Sequence, residues 1–351
     1  MVVGTRPEAI KIAPVVLALR AGGAAVRLCA TGQHSTMAAE ALSWFGIAPD
    51  LCLGPQPADL DGLCGSLLTG IGAALAAERP QRVIVQGDTI SALAGALAAH
   101  HHRLPVAHVE AGLRTGNLAA PWPEEGNRRL IATLADLHFA PTETAADALR
   151  AENVPAGAIH VTGNTGIDAL NWMRAQQEEP AFVPDGRKLI LVTCHRRESF
   201  GAGLARVAEA LNVLAQRPDV MIALPLHPNP AVRAALGGLA GLRLLAPLAY
   251  PAFVRWLAAA HIVLTDSGGV QEEAPALGVP VLVLRDTTER PEGIAAGTAR
   301  LVGTCTRRII AETSRLLDDP AAHAAMSRAH SPYGDGHAAQ RIATVLRSAG
   351  R

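Results

Sequence analysis

The chain has 351 residues, 49% hydrophobic and 18% charged, with basic and acidic side chains in equal number. That length suggests two domains of ordinary size, and that composition fills cores and is not the profile of a disordered chain. A formal net charge of zero leaves no surplus to grip a nucleic-acid backbone, so that class of partner is disfavoured.

Along the chain, short apolar runs alternate with helical periodicity. The predicted strands are Val26–Ala30, Arg82–Val85, Val106–Val109, Leu137–Ala140, Leu189–Thr193, Met221–Leu224, Arg243–Leu245, His261–Thr265 and Val281–Leu284. Amphipathic stretches lie between them, among them Ala9–Arg20, Leu60–Glu78, Ser91–His100, Thr142–Glu152, Leu204–Arg217 and Gly269–Leu277. Strands that are apolar throughout, each followed by a helix, predict parallel sheets covered on both faces. The fold class is therefore α/β, with two doubly wound domains. The polar stretch Gln176–Arg187, carrying Pro180 and Pro184, reads as the linker between them. The first domain is placed at 1–170 and the second at 171–334. A last helical pattern at 335–351 would pack back on the first domain. The first strand must precede Gly4, yet only Met1-Val2-Val3 is available, where a central strand usually has about five residues.

The five cysteines, Cys29, Cys52, Cys64, Cys194 and Cys305, form no CxxC pair and suggest neither a disulfide framework nor a zinc site. A reducing cytosol is the simplest setting. Neither a signal peptide nor an apolar run long enough to span a bilayer is expected.

Ligands in open α/β sheets bind beyond the carboxyl ends of the strands, and polar residues cluster there. Arg6 and Lys11 follow the first strand, and Gln33 and His34 the second. Asp88 ends an apolar strand before Thr89, where a helix N-cap is the ordinary role. Glu110 sits at a strand end among small residues, where burial would raise its pKa toward base duty; a salt bridge to Arg114 is the alternative. Glu124 and Glu125 follow the stiff Pro121-Trp122-Pro123. Glu125 suits a first-turn acid complementing the helix dipole, and Glu124 a functional carboxylate. In the second domain, His195 precedes two arginines and Glu198, a setting for an anionic diphosphate or for a plain pairing with Glu198. His227 is ambiguous. Asp266-Ser267-Gly268-Gly269 turns a buried strand into a helix, with Glu272 and Glu273 one turn on: backbone N–H groups for a diphosphate and a carboxylate for a ribose. Phe253 is either core or a platform for a base. His100-His101-His102 reads as surface, because adjacent helical residues point in different directions.

Taken together, Gly4 to Lys11, Gly32-Gln33-His34, Gly87-Asp88-Thr89, His108 to Gly116, Pro121 to Glu125, Thr162 to Thr165, His195 to Glu198, Asp266 to Glu273 and Arg285 to Glu292 resemble the bacterial non-hydrolysing UDP-N-acetylglucosamine 2-epimerase family. The resemblance runs over almost the full length. It implies a GT-B pair of Rossmann-like domains, with the active site in a cleft between them. It implies interconversion of UDP-N-acetylglucosamine and UDP-N-acetylmannosamine by elimination of UDP to 2-acetamidoglucal and re-addition, without cofactor or metal. A cytoplasmic homodimer acting in cell-envelope polysaccharide synthesis is the usual family setting. Carried over by motif, Arg6, Lys11, His195, Ser267, Gly268, Gly269, Glu273 and Arg290 would bind the nucleotide sugar, with Phe253 near the uracil. Asp88, Glu110 and Glu124 would surround the sugar ring, and the motifs do not assign base and acid among them. Gln33, His34, Arg197 and His227 would belong to a second, activating substrate site. That site also uses an arginine on the Leu60–Glu78 helix, where this chain has none, so activation by substrate is in doubt. Cys194 is another departure, standing where the family has a small residue. The rivals are a hydrolysing epimerase, an epimerase of another UDP-2-acetamido sugar, a GT-B glycosyltransferase and a non-catalytic UDP-sugar sensor.

Overall fold

The computed structural model describes residues 1–33, 37–176, 186–195, 200–328 and 331–349. They divide into two compact units: Met1–Trp172 with Tyr333–Arg351, and Met173–Pro332.

The first unit opens with β1 (Val2–Val3), α1 (Arg6–Ala21), β2 (Cys29–Ala30), α2 (Met37–Ser43), β3 (Leu51–Cys52) and α3 (Leu60–Glu78). It continues with β4 (Val83–Gln86), α4 (Ile90–His101), β5 (Val106–Val109), α5 (Glu124–Leu134), β6 (Leu137–Ala140), α6 (Glu143–Ala151), β7 (Ile159–Val161) and α7 (Thr165–Ala175). Every strand pair is parallel. Residues of β4, β5 and β6 are buried throughout, as helices on both faces require. The helices begin where the sequence supplies caps: the side chains of Thr5, Asp59, Thr89 and Thr142 accept from the N–H groups of Glu8, Gly62, Ala92 and Ala145.

The strands run in the order β3-β2-β1, then β4-β5-β6-β7. β1 lies against β4, yet no hydrogen-bond ladder joins them among the described residues. Side chains bridge the gap instead: a Cβ on Gly95 of α4 would come within 3.1 Å of Val85 and 3.3 Å of Val2. At the amino-terminal end of these strands lies a cavity of about 660 Å³, walled by Met1, Val26, Leu51, Ala74, Val83 and Leu346, among others.

Contrary to the sequence expectation, α3 is long and apolar enough, by composition, to cross a membrane. In this fold it packs along α4 and buries the stripe Leu63, Leu67, Ile71 and Leu75. Its glycines (Gly65, Gly70, Gly72) interrupt the apolar surface, so it is not an all-round lipid-facing helix.

The second unit contains β8 (Lys188–Thr193), α8 (Ala202–Leu214), β9 (Val220–Pro225), α9 (Pro230–Leu236), β10 (Leu242–Leu245), α10 (Tyr250–Ala259), β11 (Ile262–Thr265) and α11 (Gly268–Ala276). It ends with β12 (Val281–Val283), α12 (Pro291–Ala295), β13 (Ala299–Leu301), α13 (Thr306–Asp318) and α14 (Pro320–Ser327). Its six strands run β10-β9-β8-β11-β12-β13, all parallel. Ile190, Val192, Leu211, Ile222 and Leu264 anchor the core. The chain then rejoins the first unit with α15 (Ala338–Ala349), which packs on α1.

Each unit has one point where the winding reverses. In the first it falls between β1 and β4; in the second, between β8 and β11. Loops leaving such a point splay apart and open a crevice at the carboxyl ends of the strands.

Candidate active site

The switch point of the first unit gathers the carboxylates. Glu110 follows β5 at φ 65°, a left-handed conformation that side chains with a Cβ rarely adopt. The turn aims its carboxylate at three donors. Lys11 pairs with Oε1, Asn164 Nδ2 donates to Oε1 at 3.1 Å, and Gln86 Nε2 donates to Oε2 at 2.7 Å. The alternative partner Arg114 instead pairs with Glu152 at 2.7 Å. Lys11, expected to bind the nucleotide sugar, stands with the acids of the first unit.

Asp88 follows β4, the hydrogen-bonded neighbour of β5. It does not cap α4, because Thr89 does. Its Oδ2 takes both Nε and Nη2 of Arg128 at 2.7 Å. The next acids, Glu124 and Glu125, begin α5 and differ sharply. Glu125 is fully buried and accepts from Thr115 N (3.0 Å), Gly116 N (3.2 Å) and Arg128 Nη1 (3.2 Å). Burial pushes its carboxyl up, but those donors outweigh it and hold the group below the usual range. It is thus the anchor of the 115–116 turn, more than a dipole acid. Glu124 is half-buried and makes no hydrogen bond or ion pair among the described residues. Arg6, at the first turn of α1, is likewise unpaired among them.

Beneath these residues lies Glu8, whose role the motif reading passed over. The Thr5-x-x-Glu8 spacing is a capping box and could have revealed it. Its Oε2 accepts from Gly4 N, Thr5 N and Thr5 Oγ1, and its Oε1 from Thr89 Oγ1 at 2.6 Å. Glu8 thereby ties the α1 loop to the residue after Asp88. Burial pushes its carboxyl up to about 7 despite those bonds. Gln86, Asn164 and Arg128 were also missed as partners, since nothing local in the sequence couples residues 24 to 54 positions apart.

In the second unit the switch point holds His195 and Asp266. Asp266, fully buried at the end of β11, accepts from His195 N at 2.8 Å, and its Oδ1 lies 3.1 Å from His195 Nδ1. The sequence alternative, Glu198, lies outside the described residues, as do His34 and Arg197. His227 stacks on His195 with ring centroids 5.8 Å apart. Cys194 is buried, and burial and the nearby Asp266 carboxylate push its thiol up.

Next to this pair, α11 starts at Gly268 with Ser267 as its N-cap residue, and no side chain caps it among the described residues. A Cβ on Gly269 would meet nothing within 4 Å, so the approach to those N–H groups is open. An uncapped helix start of this kind suits an anion. Glu272 is paired with Arg290, whose backbone N–H also bonds Thr288 Oγ1 at 3.1 Å. Glu273 accepts from Tyr250 O–H at 3.1 Å, and Phe253 is half-buried on the same helix as Tyr250. Gln33 belongs to the first unit, where its Oε1 accepts from Ser91 Oγ at 2.6 Å.

A family model described as UDP-N-acetylglucosamine 2-epimerase matches residues 18–347. The chain belongs to that family. The UDP-N-acetylglucosamine 2-epimerase of Escherichia coli is 48% identical over 366 residues, covering 99% of this chain and 97% of the relative. The crystal structure of the Neisseria meningitidis 2-epimerase bound to UDP-GlcNAc aligns with a TM-score of 0.91 at 42% identity, covering 98% of both chains. The Methanocaldococcus jannaschii 2-epimerase in complex with UDP-GlcNAc and UDP aligns with a TM-score of 0.83 at 31% identity, again over 98% of both chains. The 2-epimerases are isomerases, and this member has their pair of Rossmann-like α/β units, the GT-B class of fold.

Proposed function

We propose that this 2-epimerase interconverts UDP-N-acetylglucosamine and UDP-N-acetylmannosamine by the non-hydrolysing route, with UDP and 2-acetamidoglucal as intermediates. C2 of the sugar has no adjacent carbonyl, so its proton cannot leave directly. Cleavage of C1–O places the electron pair on the β-phosphate oxygen. A carboxylate then takes the C2 proton, and the C1=C2 double bond forms. Return of the proton to the opposite face and re-addition of UDP complete the inversion.

The observation that carries this reading is the arrangement around Glu110. A left-handed backbone turn holds it against Lys11, Asn164 and Gln86, beside an Asp88 matched to Arg128. Two oriented, counter-charged carboxylates suit an oxocarbenium-like centre at C1. Glu124, unpaired among the described residues, is assigned to move the C2 proton. In the second unit the open start of α11 at Ser267, Gly268 and Gly269, together with His195 and Arg290, takes the diphosphate. Glu273 takes the ribose, and Phe253 lies at the base. The missing arginine on α3 supports an enzyme without substrate activation at a second site, leaving Gln33, His34, Arg197 and His227 short of one cation. The same reading makes the enzyme a cytoplasmic homodimer.

Incubation with UDP-N-acetylglucosamine in deuterated water should yield UDP-N-acetylmannosamine labelled at C2. Free N-acetylmannosamine with UDP would establish the hydrolysing route instead. Recovery of substrate with neither epimer nor label would overturn the proposal.

A further inference from the structure

We infer that Asp266 is a positioning residue: it fixes the orientation and tautomer of His195 and so presents the other ring nitrogen to the departing diphosphate. This rests on the proposed epimerase reading for its chemistry, and on the second unit alone for its geometry.

Three observations converge on Asp266. It ends β11 beside β8, whose end carries His195, so both residues stand at the reversal of the sheet. One residue earlier, Thr193 and Thr265 are directly paired in register and join their hydroxyls at 2.6 Å, which locks the two strand ends together. The carboxylate then meets His195 at two points. Its Oδ2 takes the His195 N–H at 2.8 Å, and its Oδ1 lies 3.1 Å from His195 Nδ1. The face of the ring rests on His227. Backbone, ring edge and ring face each have a neighbour that favours this orientation of the imidazole.

The chemistry follows from the two nitrogens. A neutral imidazole carries its proton on one of them, and a carboxylate against Nδ1 selects the Nδ1–H form. Nε2 is thereby left for a ligand. A diphosphate docked against Nε2 stands opposite Asp266. A ring carrying a proton on both nitrogens, the second supplied by a solvent hydronium ion, therefore lies as a cation between two anions, Asp266 and the β-phosphate. As C1–O breaks, negative charge grows on the β-phosphate oxygen and the Nε2–H bond to it strengthens. Asp266 acts only through His195 and touches no reacting atom.

The test uses Asp266→Asn, which keeps the side-chain shape but can present an amide N–H to Nδ1 and so drive the ring proton to Nε2. Long-range proton–nitrogen spectra of nitrogen-15 histidine protein, with His195 assigned by its loss in His195→Gln, should show Nδ1–H in the native enzyme and Nε2–H in the variant. UDP should shift the native Nε2 resonance, and shift it differently in Asp266→Asn. Turnover should fall about 100-fold or more, carried by kcat with KM within a few-fold. The double variant should be no worse than His195→Gln alone. An Nε2–H tautomer in the native enzyme would overturn the inference, as would additive losses in the double variant. If the epimerase reading itself were wrong, no form would turn over the sugar, while the tautomer and the UDP-induced shift would still decide the role of Asp266.

Discussion

Glu124 and Glu125 are neighbours in the first turn of α5, yet one is enclosed by donors and the other has none among the described residues. Substitution should separate chemistry from stability. Glu124→Gln should cut turnover by roughly 10²- to 10⁴-fold while leaving the thermal midpoint within about 1 °C. Glu125→Gln removes a fully buried charge from Arg128 and the 115–116 turn, and should cost about 3 kcal/mol in urea titration. Equal effects on stability would refute the distinction. The chain order Pro-Trp-Pro-Glu-Glu marked both acids as noteworthy. It already assigned Glu125 a structural and Glu124 a functional role, but the partners that enclose Glu125, at 115, 116 and 128, were not readable because folding sets which way α5 turns each side chain. Glu110 was legible as a strand-end acid, but its partners come from three other segments that only folding brings together.

Among elements, α11 starts without the side-chain cap that α1, α3, α4 and α6 have. Among the described residues α5, α8, α10, α12 and α13 lack one too, but α11 is the uncapped start that directly follows Asp266 at the second unit's switch point. Ser267→Asp would place a carboxylate over its first turn. Thermal stability should rise by about 1 kcal/mol, as for a gained cap. UDP binding, measured by calorimetry, should weaken at least tenfold because the same N–H groups are then taken and a negative charge stands over them. Unchanged affinity would remove α11 from the nucleotide site. The glycines that mark this turn were readable from sequence, as were the central strands β4, β5, β6, β8, β9 and β11. The strands passed over, β3, β7 and β13, are all edge strands of two or three residues, partly exposed. With one flank uncovered they need no continuous apolar run, so the signal that reveals a central strand is missing.

At the scale of the whole molecule, buried titratable groups set the response to pH. Burial holds the His108 ring down to about 3, against 6.5 when unfolded. Between those values the unfolded chain binds a proton that the folded one refuses, so stability drops as pH falls below about 6.5, with a slope approaching ~1.4 kcal/mol per pH unit. Burial lowers His138 in the same sense. Glu8 opposes them. Its carboxyl, raised to about 7 from 4.5, keeps a proton that the unfolded chain has lost, a contribution that fades as pH rises through 7. His108→Gln can keep the bond to Gly87 O, which His108 Nε2 now makes at 2.7 Å, and remove the titration. The difference in urea midpoint between pH 7.5 and pH 5.5 should therefore shrink. An unaltered difference would place the acid sensitivity elsewhere.

The unbonded line between β1 and β4 has a mechanical meaning. Across it the first unit is glued and not stitched: parting the strands there breaks side-chain contacts alone, while parting any other pair breaks a ladder. Water can therefore enter the unit along this seam without global unfolding, and the cavity beneath it is where the seam begins. Native-state hydrogen exchange should find the β1–β2 amides opening at lower free energy than those of β5 and β6. Filling the cavity with Ala74→Leu should narrow that gap and raise the thermal midpoint by an amount worth about 1 kcal/mol. Equal protection on both sides of the line would show that packing alone seals it.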